Sequence, residues 1–243
     1  MCCAEKGPSI PREDREGILG PGTCATGIIF DLDGTLAHTL PDIADAVNVG
    51  LASFGLERQP EFAIRSWIGD GLPMLCRRAA EAGAGDAEAP RVVLDQMVET
   101  VSAHYRRNSL NKAVLFPGVA DLLDTLTARH VPFAILTNKP HLTTLPMVEA
   151  LLGRWTFVAV EGCREDSRRK PDPRTALEIV ARLGVAADRV VLVGDSVADV
   201  TTALRAGLIA VGVTWGYHDE PDLRDAGARH LIDAPAQLLD LID

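Results

Sequence analysis

Apolar residues fall in short runs that stop abruptly at polar ones. The segment from Thr26 to Phe30 is the first, and VPFAILTN (131–138), WTFVAV (155–160), RVVLVGD (189–195) and LIAVGV (208–213) repeat its character. Continuous apolar runs of this length predict strands buried on both faces. Between them the apolar spacing turns helical, in GVADLLDTLTARH (118–130), TTLPMVEALL (143–152), DPRTALEIVARLG (172–184) and SVADVTTALRAG (196–207). Strand and helix alternate, which predicts an α/β fold whose parallel sheet carries helices on both faces.

Residues 40–111 break that alternation. LPDIADAVNVGLASFG, FAIRSWIG, GLPMLCRRAAEAG and PRVVLDQMVETVSAHYRRN all read as helix, with no strand between them. An all-helical insert directly after the first strand predicts a cap domain over the carboxyl edge of the sheet, where open α/β sheets bind ligands. The expected organisation is a flexible N-terminal extension over 1–24, rich in Gly, Pro and charge, a Rossmann-like α/β core over 25–39 and 112–243, and the helical cap over 40–111.

With 243 residues, 47% of them hydrophobic and 24% charged, the chain has apolar material for one core and a smaller module. A formal charge of −10, with no basic patch interleaved with aromatics, argues against nucleic acid as a partner. No apolar run approaches the roughly 20 residues of a membrane span, and the charged N-terminal stretch lacks a signal-peptide core. Cys2, Cys3, Cys24, Cys76 and Cys163 are scattered without metal-ligand spacing, so a reduced, cytoplasmic setting is expected. Either a monomer or a homodimer fits this composition.

Chemistry-bearing residues gather at the carboxyl ends of the predicted strands. Asp31 and Asp33 follow the first, Thr137 and Asn138 end another, and Asp195 follows the run at 189 with Ser196 and Asp199 behind it. A parallel sheet brings such ends into one pocket. Three converging carboxylates, Asp31, Asp33 and Asp195, repel unless a cation compensates them, and hard oxygen donors suit Mg²⁺. Lys170 adds one positive charge where a phosphoryl oxygen needs it, while Thr137 offers a hydroxyl and Asn138 a backbone N–H. The set fits phosphoryl transfer through an aspartyl-phosphate. Plainer explanations stand beside it: Asp and Gly form turns, Thr and Asn cap helices, and Asp199 could face solvent on the following helix.

Four motifs together, Asp31-Leu-Asp33-Gly-Thr-Leu, Leu136-Thr137-Asn138, Lys170-Pro171 and Gly194-Asp195-Ser196-Val-Ala-Asp199, resemble the haloacid dehalogenase superfamily, in particular its phosphatases with a helical cap after the first strand. The resemblance spans residues 26 to 240. It implies Asp31 as nucleophile and Asp33 as acid and base, with Asp31, Asp33 (through its backbone carbonyl) and Asp195 around Mg²⁺. Asp199 would orient Lys170 or a water on the metal; Thr137, Asn138 and Lys170 would hold the phosphoryl group. Dehalogenases lack an acid/base Asp at the second motif position, so Asp33 points to a small phosphate ester as substrate.

Local features, LPDI (40–43), IGDGLPML (68–75), LTNKP (136–140) and GVTWGYHDE (212–220), are similar to the phosphoglycolate phosphatases. That similarity implies 2-phosphoglycolate, with the Gly69-Asp70-Gly71 loop closing on the substrate's far end. His38-Thr39 departs from the usual Asp-Ser at the hinge and makes His38 a candidate substrate contact. Other small sugar or organic phosphates, a β-phosphoglucomutase-like phosphomutase and an inorganic pyrophosphatase are the alternatives.

Overall fold

The computed structural model describes residues 25–85, 91–164 and 168–242; the expected extension over 1–24 lies outside the described residues. In chain order the strands are β1 (Gly27–Phe30), β2 (Ala37–His38), β3 (Val114–Leu115), β4 (Phe133–Pro140), β5 (Val160–Cys163), β6 (Val190–Gly194), β7 (Ile209–Val213) and β8 (His230–Ile232). Six of them form one sheet in the order β5–β4–β1–β6–β7–β8, every ladder parallel.

Strand side chains alternate between two cores, which is why the apolar runs are unbroken. Ile28, Phe30, Phe133, Ile135, Val191 and Val193 face one core, with Leu122, Leu123 and Leu126 of α5 (Val119–Ala128) and Met147 of α6 (His141–Leu152). Ile29, Ala134, Leu136, Val190 and Leu192 face the other, with Ile179 and Leu183 of α7 (Arg174–Leu183) and Val200 and Ala203 of α8 (Val197–Ala206). Leu223 of α9 (Glu220–Asp225) joins this second core. The chain runs outward from β1 to β4 and β5, then crosses to β6 on β1's other side. Strand order therefore reverses between β1 and β6, and a crevice opens beyond their carboxyl ends.

Between β2 and β3 the chain forms α1 (Leu40–Ser53), α2 (Glu61–Arg65), α3 (Leu72–Ala84) and α4 (Arg91–Asn108), with no strand among the described residues. Val47 and Leu51 of α1 and Met97 and Val101 of α4 are fully buried in the first core. Gly50 permits the close approach of these helices, since a Cβ there would lie 2.5 Å from Val101 Cγ2. The two ends of the insert are paired antiparallel, Ala37 with Leu115 and His38 with Val114. Asp42 Oδ2 reinforces the junction by accepting from the backbone N–H groups of Lys112 and Ala113, each at 3.0 Å.

Two sequence expectations shift. The strand expected at 155–160 lies at Val160–Cys163. Trp155 and Phe157 are diverted into packing, the indole N–H donating to Asp124 at 2.8 Å and Phe157 meeting Phe133 edge-on at 5.0 Å. β8 was not anticipated, because three residues are too few to display a period. No described helix is long and apolar enough to cross a membrane.

Candidate active site

Asp31 leaves β1 still tied to the ladder, its N–H donating to Val193 O at 2.9 Å. The chain then turns over Asp195 through Gly34, whose φ is +86° and where a Cβ would lie 2.2 Å from Asp195 Oδ2. Only glycine meets both conditions. Asp195, the residue after β6, is buried beneath that turn. It accepts from Thr35 Oγ1 at 3.2 Å and from Tyr217 N–H at 2.7 Å, and Gly216 gives it room on the far side.

Lys170 reaches the same point from the loop before α7. Asn138 fixes its backbone, with Oδ1 accepting from Lys170 N–H at 2.9 Å and Nδ2 donating to Lys170 O at 3.0 Å. Its ammonium sits 2.8 Å from Asp31 Oδ1 and 2.6 Å from Asp199 Oδ1. Asp199 is buried in the first turn of α8, where it forms a reciprocal capping box with Ser196, and does not face solvent.

These placements set the electrostatics. Burial pushes the Asp31 carboxyl up to about 6, against the pull of Lys170. Burial also works against the Lys170 ammonium, yet Asp199 and Asp31 outweigh it and hold the lysine above its ordinary value. His218, 3.9 Å from Asp195, is likewise opposed by burial, but Asp195 lifts it above the usual histidine range.

Asp33 has partners that sequence reasoning missed. Lys139 Nζ stands 3.0 Å from both Asp33 oxygens and donates to Tyr105 Oη of α4 at 2.6 Å. Thr39 Oγ1 donates to Asp33 Oδ1 at 2.7 Å. Because the Thr39 side chain is used this way, the start of α1 is satisfied elsewhere: Tyr217 Oη accepts from the N–H groups of Thr39 and Leu40. The adjacency of Lys139 to Asn138 was the one available sequence signal. Tyr105 gave none.

Asp31, Asp33, Thr137, Asn138, Lys139, Lys170, Asp195 and His218 line one cavity, closed from the insert by Ile43, Ala46, Leu75, Val101 and Tyr105. Its volume is about 80 Å³. Drug-sized ligand sites run to several hundred Å³, so this space suits a small molecule. Gly69 and Gly71 reach the lining, and Gly69 O accepts from Asn138 Nδ2 at 2.8 Å.

Two expected substrate contacts lie elsewhere. Asp70 turns outward to Arg78 of α3, 2.6 Å away, because the glycines on either side take the inward positions. His38 packs against Phe116 and Tyr217, with ring centroids 5.5 and 6.1 Å away, and does not line the cavity.

Carboxylate oxygens of Asp31, Asp195 and Asp199 lie within 4.8 Å of one another, all buried. Asp199 is committed to Lys170 and Ser196, and the Asp33 side chain to Lys139 and Thr39. Asp31 Oδ1 is paired with the Lys170 ammonium at 2.8 Å. Buried carboxylate oxygens this close together, with no nitrogen or sulfur donor in the cluster, fit a hard divalent cation such as Mg²⁺. Asp31 and Asp195 would offer it carboxylates; the Asp33 side chain is taken by Lys139 and Thr39, and the role expected of Asp33, through its backbone carbonyl, does not use that side chain.

A family model described as haloacid dehalogenase-like hydrolase matches residues 28–213. A phosphoglycolate phosphatase from Rhodospirillum rubrum is 37% identical over 215 residues, covering 88% of this chain and 89% of that one. The Haemophilus influenzae (strain 86-028NP) protein of the same name is 34% identical over 216 residues, covering 88% and 96%. Among solved structures, a predicted phosphoglycolate phosphatase from Haemophilus somnus superposes with a TM-score of 0.82 at 28% identity, covering 88% of this chain and 96% of the other.

Proposed function

The chain belongs to the haloacid dehalogenase-like hydrolases, and from that membership we propose that it is a Mg²⁺-dependent phosphatase of a small carboxylated phosphate ester, 2-phosphoglycolate. One observation carries the proposal: Asp31, buried and paired with Lys170, shares a small cavity with Asp33 and Asp195. The names of the relatives support the choice of substrate.

Asp31 attacks phosphorus as a carboxylate, and the bond from phosphorus to the ester oxygen breaks. Asp33 gives a proton to the departing alkoxide, releasing glycolate and leaving an aspartyl-phosphate on Asp31. Asp33 then takes a proton from water; the oxygen attacks phosphorus, and inorganic phosphate leaves with Asp31 restored. Lys170 and Thr137 face the phosphoryl oxygens, where developing charge is greatest. Asp199 holds the Lys170 ammonium in position. A bound Mg²⁺, held by Asp31 and Asp195, supplies charge neutralisation at the phosphoryl group. The helical insert acts as a cap, its apolar side chains excluding bulk water from the cavity.

Phosphate release from 2-phosphoglycolate, sugar phosphates, phosphoserine and pyrophosphate, each with Mg²⁺ and with EDTA, tests this directly. The expected result is a kcat/KM for 2-phosphoglycolate at least about 10-fold above the others, with EDTA removing turnover by more than about 100-fold. A profile led by sugar phosphates or pyrophosphate overturns the substrate, and turnover indifferent to EDTA overturns the metal.

A further inference from the structure

Lys139, Lys170 and His218 are the cavity-lining side chains that can carry positive charge among the described residues. Lys170 is engaged by Asp31 and Asp199, and His218 sits beside Asp195. Arg169 lies behind Gly71 and donates to Cys163 Sγ, outside the lining. From the insert come apolar side chains and the hydroxyls of Ser102 and Tyr105, with no charge. Lys170 faces the phosphoryl group and His218 is held beside Asp195, so the ammonium on the leaving side, next to the acid/base Asp33, is that of Lys139.

Lys139 is built in for such a task. Its side chain is 3% exposed, and its three N–H donors all have partners, the two Asp33 oxygens and Tyr105 Oη. The ammonium also stands 4.4 Å from the centre of the Tyr105 ring, which fixes its direction. A carboxylate entering this space can pair with the ammonium only by taking the place of one of those partners.

We propose that Lys139 is the specificity-determining residue that binds the substrate's carboxylate, exchanging an Asp33 contact for it; this rests on the phosphatase function proposed above. Lys139 recognises the substrate's tail and, by the same movement, frees an Asp33 oxygen to face the ester oxygen. An ester without an anionic tail leaves Lys139 on Asp33, so it loses kcat as well as affinity.

The test compares 2-phosphoglycolate with ethyl phosphate, which carries a methyl group in place of the carboxylate, using the full chain with Mg²⁺. Wild type is expected to favour 2-phosphoglycolate by about 100-fold or more in kcat/KM, with a lower kcat for ethyl phosphate. In Lys139→Met the preference falls below about 5-fold, chiefly through loss on 2-phosphoglycolate, whereas Lys139→Arg keeps more than about 10-fold. A wild-type preference below about 5-fold overturns the proposal while leaving the phosphatase standing, and needs no variant to fold. Equal losses on both esters in Lys139→Met also overturn it, because Lys139 then acts through Asp33 alone. If wild type hydrolyses neither ester with Mg²⁺, the 2-phosphoglycolate phosphatase proposed above fails, and the assignment to Lys139 with it.

Discussion

Asp31→Asn lowers kcat for phosphate release by about 10⁴-fold or more, and at neutral pH it stabilises the metal-free protein. The first effect follows from removing the proposed nucleophile, since an amide does not attack phosphorus at a useful rate. The second follows from burial. The Asp31 carboxyl rises from 3.8 to about 6 in the folded chain. Between those values the native state binds more protons than the unfolded state, so wild-type stability falls as pH climbs through that window and stays lowered above about 6. A rise of this size corresponds to about 3 kcal/mol at most. Asn carries no charge and escapes the loss. Thermal melts in EDTA should therefore place Asp31→Asn several degrees above wild type at pH 7.5, with the gap closing near pH 4. A variant less stable than wild type at pH 7.5 would mean that the pairing with Lys170 outweighs the cost of burial.

Lys170→Met should be the opposite kind of variant, damaged in both respects. It leaves Asp31 and Asp199 as neighbouring buried carboxylates without their shared ammonium. Breaking a buried pair from one side costs about 3–5 kcal/mol, about 10 °C in Tm for a chain of this size. Turnover falls by a further route, because the group facing the phosphoryl oxygens is gone; about 10²–10³-fold in kcat is expected. Mg²⁺ should narrow the Tm gap between variant and wild type, since it returns positive charge to Asp31. Melts and single-substrate kinetics on the same preparations check both effects. An unchanged Tm would show that the two carboxylates are neutral in the folded protein.

The layers of the sheet were legible because burial on both faces writes an unmistakable continuous run, and the carboxylates of the candidate site were legible because they stand where those runs stop. Asp31, Asp195 and Lys170 needed only the parallel sheet to bring them together. What stayed hidden depends on contacts between segments whose separation carries no period. Lys139 and Tyr105 are 34 residues apart and meet because α4 folds back over β4. Asp70 looked like a substrate contact until the turn between Gly69 and Gly71 sent its carboxylate to Arg78, a choice of backbone direction. His38 sits at the hinge as expected, but the pairing of β2 with β3 sets its ring against Phe116. Strand 155–160 failed for a related reason: aromatic residues favour strands and cores alike, and here the core took Trp155 and Phe157.

The pairing of Ala37 with Leu115 and His38 with Val114 has a consequence beyond the hinge itself. Adjacent paired strands lie about 4.8 Å apart, so the two points where the insert joins the sheet domain are within reach of a two-residue hairpin. Topologically the insert is a cassette. Its removal leaves ends that a short turn can rejoin, and its exchange for a different segment leaves Asp31, Thr137, Lys170 and Asp195 on strands and loops that never pass through it. Selection can thus remodel which molecules are admitted without touching the groups that perform the chemistry, and a chimera carrying a foreign insert between residues 39 and 113 is the natural way to ask the same question at the bench.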